Sequence, residues 1–180
     1  MMQSRMSARL LVLFSMSVAF GGGATAARAD DPCGAFTWDV RHERSLFGQA
    51  PRPLAAGETP AASPALATDQ LYELKLTTLA KVKFVTPPGG KARDKAAYAG
   101  LVLITVDAPG VYRVSLDQPV WVDAIASGTL VTAKDFQGRR GCNAPHKIVE
   151  FALPAGTPVT LQFSGEVPTA KVSISRSPAP

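Results

Sequence analysis

The chain has 180 residues, with 19 Lys and Arg against 14 Asp and Glu, and a net charge of +5. Three of the basic residues (Arg5, Arg9, Arg28) and none of the acidic ones fall in residues 1–29, so the remainder carries 16 against 14, close to neutral. The basic balance therefore does not argue for a nucleic-acid partner.

Residues 1–29 read as a cleavable secretory signal. Arg5 and Arg9 give a positive start, Leu10 to Phe20 is an apolar run, and Ala27-Arg28-Ala29 fits the small-x-small cleavage pattern. The run is too short to span a bilayer, which takes about 20 residues. Asp30-Asp31-Pro32 ahead of Cys33 is not a lipoprotein box. The expectation is cleavage between Ala29 and Asp30, a periplasmic or secreted protein, and no transmembrane segment after cleavage. What remains is about one domain's worth of chain, long enough to bury one core unaided.

Residues 30–47 form a short head. Thr37 is a candidate cap for a helix running to Phe47, with Gly48 as the stop; a strand over Phe36 to Val40 is the competing reading. Residues 48–69 are rich in Pro and Ala and lack aromatics, which reads as a linker that cannot repay its ordering entropy. Residues 70–180 form the body. Leu71 to Leu76, Ala80 to Val85 and Val111 to Leu116 alternate as half-buried strands do, and Gly100 to Val106 is a continuous apolar run. Val120 to Ile125, Thr129 to Ala133, Lys147 to Leu153, Pro158 to Phe163 and Ala170 to Ser175 complete the series, with turns at Pro109-Gly110, Ser127-Gly128 and Pro154-Ala155-Gly156. A short helix is expected near Arg93 to Tyr98. The pattern predicts an all-β fold: a single β-sandwich or jelly roll of about eight or nine strands with a short helical head.

Two cysteines, Cys33 and Cys142, form an even count in a chain with an export signal, which reads as one disulfide closing a long loop. A pair of metal-binding thiolates is the alternative. The bridge would bring His42, Glu43 and Arg44 beside the polar segment Lys134 to Lys147, read as a long loop. There Arg139 and Arg140 are forked donors for an anion or carboxylate, with His146 and Lys147 beside them. A solvated loop held by a staple is the plainer reading. His42, His146 and Glu150 supply the ligand types of a two-histidine, one-carboxylate iron site. Positions 146 and 150 lie about 13 Å apart along an extended strand, so that site requires a bulge or a loop at His146. Trp121 is a candidate platform for a sugar ring, against core packing. There is no Gly-x-Ser-x-Gly, and Pro87 to Lys91 lacks the strand–loop–helix context of a phosphate loop. No catalytic residue is assigned.

The segments Cys-Gly-Ala-Phe-Thr-Trp-Asp-Val-Arg-His-Glu (33–43), Gly-Val-Tyr-Arg-Val-Ser-Leu (110–116) and Asp-Phe-Gln-Gly-Arg-Arg-Gly-Cys-Asn-Ala-Pro-His-Lys-Ile-Val-Glu-Phe (135–151) resemble a family of small exported alphaproteobacterial proteins. Some of its members carry the label homogentisate 1,2-dioxygenase. That label implies an iron-dependent ring-cleaving enzyme of cupin fold in the cytoplasm; the present chain is shorter, bears an export signal and has two histidines. Three functional expectations follow. The first is a non-enzymatic exported protein binding a small ligand or a periplasmic protein through the stapled basic loop, with no cofactor. The second is an iron-dependent dioxygenase, and the third a carbohydrate-binding module.

Overall fold

The structure, a computed structural model, describes residues 31–89 and 95–178. The expected signal over residues 1–29 with its cleavage point, the Gly90-Lys91 end of the glycine turn and the start of the expected helix at Arg93 lie outside the described residues.

In chain order the strands are β1 (Arg52–Ala55), β2 (Ala65–Leu66), β3 (Leu71–Lys75), β4 (Thr77–Thr78), β5 (Tyr98–Ile104), β6 (Gly110–Leu116), β7 (Trp121–Ala126), β8 (Thr129–Val131), β9 (Ala133–Gly138), β10 (Lys147–Leu153), β11 (Val159–Gly165) and β12 (Thr169–Arg176). They make two sheets, as the alternating pattern predicts. The first runs β1-β3-β12-β6-β10-β9, and the second β2-β5-β11-β7-β8 with β4 on β5. The sandwich core takes alternate residues from both. Val149, Phe151 and Leu153 of β10 face Leu161, Phe163 and Val122 of the second sheet in one buried cluster.

The outer face of each sheet is also covered. On the first sheet this is done by the head. A helix, α1 (Arg41–Phe47), buries Glu43 and Leu46 and ends at Gly48 as expected. It begins later than Thr37, because that residue is bonded elsewhere: its N–H donates to Gln137 Oε1 and its hydroxyl accepts from Gln137 Nε2 on β9. Cys33 and Cys142, 109 positions apart in the chain, form a disulfide that fastens the head.

Residues 48–69 are not a free tether. β1 pairs in parallel with β3, and β2 in parallel with β5, each at a sheet edge. Edge strands draw on backbone hydrogen bonds more than on burial, and they tolerate proline, here Pro53. Residues 80–85, expected as a strand, instead form a short 3-10 turn (Leu79–Lys81) and an irregular run over the second sheet. The N–H groups of Val85 and Thr86 donate to Gln162 Oε1 at 2.6 and 3.3 Å, and Gln162 Nε2 returns a bond to Thr86 O at 3.0 Å. A buried side-chain amide thus replaces a strand neighbour, and Pro87-Pro88 has no N–H groups to continue a ladder. The described part of the expected helix near Tyr98 is a turn leading into β5. Among the described residues no helix is long and apolar enough to cross a membrane.

Candidate functional site

The site follows from a mismatch between the two sheets along one side. β9 closes the edge of the first sheet and pairs with β10 for most of its length. β8, on the second sheet, is only three residues long and pairs with Ala124 to Ala126 alone. Trp121 to Asp123 of β7 therefore have no β8 partner, and the first sheet overhangs a gap. Phe136 sits opposite Val149, so it shares the inward face, yet it is 68% exposed because no strand of the second sheet lies over it. Leu130 on β8 is 50% exposed across the same gap. The result is an apolar cleft of about 360 Å³, floored by Val122, Val149 and Phe151.

Among the described residues one cation, Lys147, lines this cleft. Lys147 opens β10 two residues before Val149, and so points inward. Its ammonium donates to Val120 O at 2.6 Å and lies 5.7 Å from the centroid of the Trp121 ring. No carboxylate pairs with it among the described residues. Burial lowers its pKa from 10.5 to about 8, against a smaller upward pull from Asp123. Both oxygens of Asp123 accept hydrogen bonds, Oδ1 from Trp121 Nε1 at 2.8 Å and Oδ2 from the Gly89 N–H at 2.9 Å. That second bond needs close approach: a Cβ on Gly89 would come within 3.1 Å of Asp123 Oδ1.

A second constellation lies on the far face of the first sheet. Arg113, 5% exposed, donates from Nε to Glu150 Oε1 (3.0 Å) and from Nη1 to Asp39 O (2.7 Å) and Glu43 Oε1 (3.3 Å). Its guanidinium lies 4.9 Å from the Trp38 ring centroid. Ser175 and Ser177 add hydroxyl donors to Glu43 and Glu150. This cluster welds the head to the sheet. At its margin the Arg41 side chain, hydrogen-bonded to Asp39, holds that exposed carboxyl down at about 2.

The residues expected from sequence are distributed as follows. Trp121 and Lys147 meet in the cleft. Arg139 instead serves the head: Nε donates to Ala35 O at 2.6 Å, Nη1 donates to Gly138 O at 2.9 Å, and the guanidinium lies 5.2 Å from the Phe36 ring centroid. Arg140 is exposed. The segment from Lys134 is not one long loop, since its start, as far as Gly138, belongs to strand β9; charged residues such as Lys134 and Asp135 are typical of an exposed edge. His42 Nε2 contacts Asp69 Oδ1 at 2.7 Å, Glu150 is engaged by Arg113 and Ser177, and His146 lies just before β10, its backbone bonded to Arg139 and Leu116. Among the described residues no three His, Cys, Asp or Glu side chains gather as a metal-binding group. The register between β9 and β10 does shift, but opposite Glu150 and Phe151, where Lys134 of β9 is the extra residue, and His146 lies outside the strand.

Sequence reasoning passed over Phe136, Leu130, Asp123 and Arg113. An aromatic within a charged edge strand, and a lone arginine within Val-Tyr-Arg-Val-Ser-Leu, were the available signals. Compared with known proteins, the chain matches no family model and no curated protein.

Proposed function

We propose that this is an exported β-sandwich protein that binds a ligand in the cleft between β8 and β9. The observation that carries the reading is the exposure of Phe136 and Leu130 on the two walls of an apolar cavity of about 360 Å³. A sandwich edge with no binding role is normally closed or made polar, and a cavity of this size falls in the range of small-molecule sites. Lys147 and Trp121, both expected in a binding role, line it. Export is supported by the Cys33–Cys142 disulfide, since such bonds persist in oxidising compartments.

The test is a titration with a set of small apolar fragments, followed residue by residue by NMR. Shifts confined to Val131, Phe136, Val149 and their neighbours are expected. Shifts scattered over the surface, or none, would sink the reading. N-terminal sequencing of protein recovered from the periplasm or medium tests export, with Asp30 expected as the first residue.

A further inference from the structure

Among the described residues the cleft lining is largely apolar, and Lys147 is the cation in it, which identifies the chemistry of its occupant. An ammonium has three donors. Val120 O takes one of those on Lys147, and among the described residues no carboxylate takes another. Asp123 is near enough to be felt, but it forms no ion pair with Lys147 and instead accepts from Trp121 and Gly89. A cation drawn out of water and left with spare donors is satisfied by an anion that arrives with its own apolar body. From Lys147 the inward face of β10 continues through Val149 to Phe151, a span of about 13 Å along an extended strand.

We infer that the cleft takes a medium-chain monocarboxylate, with its carboxylate on Lys147 Nζ and its chain along Val149 and Phe151, beneath Phe136. A volume of about 360 Å³ holds about a dozen non-hydrogen atoms at the roughly 30 Å³ that each water takes in the liquid. That is the size of decanoate. The carboxylate accepts charge-assisted hydrogen bonds that a neutral head group cannot match. This inference rests on the cleft being a binding site, and the experiment separates the two.

Decanoate, 1-decanol and decylammonium, each below the concentration at which it aggregates, are titrated into the full chain by calorimetry. Decanoate is expected to bind at least tenfold more tightly than decanol, with decylammonium weakest. Lys147→Met should abolish the preference for decanoate over decanol, and Lys147→Arg should keep it. Equal affinity for decanoate and decanol in the parent protein overturns the monocarboxylate assignment but leaves the cleft as an apolar site. Binding of neither overturns both, as does binding that persists unchanged in Phe136→Glu.

Discussion

Glu43 Oε1 accepts a 3.0 Å hydrogen bond from the hydroxyl of Ser175, 132 residues further along the chain, and both side chains are buried. The same oxygen lies 3.3 Å from Arg113 Nη1. One atom on the head helix is therefore joined to two different strands of the first sheet.

Removing that atom leaves Arg113 buried with one carboxylate fewer. Glu43→Ala is expected to cost about 3 kcal/mol, because breaking a buried pair strands its partner. Glu43→Gln, which keeps the shape and an acceptor, should cost less. Urea unfolding measures both, and a loss below about 1 kcal/mol for the alanine variant would mean that Glu150 alone satisfies Arg113.

The disulfide should act on the head first. Cys33→Ser with Cys142→Ser is expected to lower stability by roughly 2–4 kcal/mol. Amide exchange should show protection lost over α1 while β6, β10 and β12 keep theirs. Uniform loss across the sandwich would contradict the picture of the head as a separately fastened cover.

Lys147 carries a measurable cost. Its folded pKa of about 8 lies below the ordinary 10.5, so between these values the unfolded chain binds more protons and stability rises with pH. Below pH 8 the ammonium is charged in both states and the burial cost is present in full, about 3 kcal/mol at most. Among the described residues the charged group facing it is Asp123, whose attraction is already included in that shift. Lys147→Met should remove this rise between pH 8 and 10.5, as read from urea midpoints; an unchanged pH slope would show that the amine is solvated.

Phe136 and Leu130 should matter little for stability. Phe136→Ser and Leu130→Ser are each expected to shift unfolding by less than about 0.5 kcal/mol, as exposed positions do. The same changes should weaken ligand binding at least tenfold. A large stability loss would instead make these residues part of the core.

Much of the architecture was legible because burial imposes a period of two. β10 emerges at Lys147–Leu153 and β6 at Gly110–Leu116, close to or at the bounds that alternation assigns. Residues 80–85 alternate equally well yet form no strand, since the pattern reports which side chains are apolar and not whether a neighbouring strand is available. The Pro-rich segment misled in the opposite direction: β1 and β2 are held by backbone bonds, which leave no mark on side-chain composition. At the site, Trp121 and Lys147 stood out by type, but their meeting depends on the facing of two sheets. The importance of Phe136 depends on β8 being short. The Arg113 node was hidden because its partners come from segments 70 and 37 residues away.

The strand order also bears on how the chain is made. β12 lies between β3 and β6, and β11 between β5 and β7, so the centre of each sheet is supplied last. A nascent chain that has not yet produced these two strands holds halves of sheets with unpaired inner edges and nothing to join them. Such edges are sticky, and contacts this distant in sequence form slowly. Vectorial synthesis therefore builds no half-finished sandwich, and a chain truncated before Val159 should show no protected amides at all. Delivery of β11 and β12 is the event that turns the polypeptide into a fold.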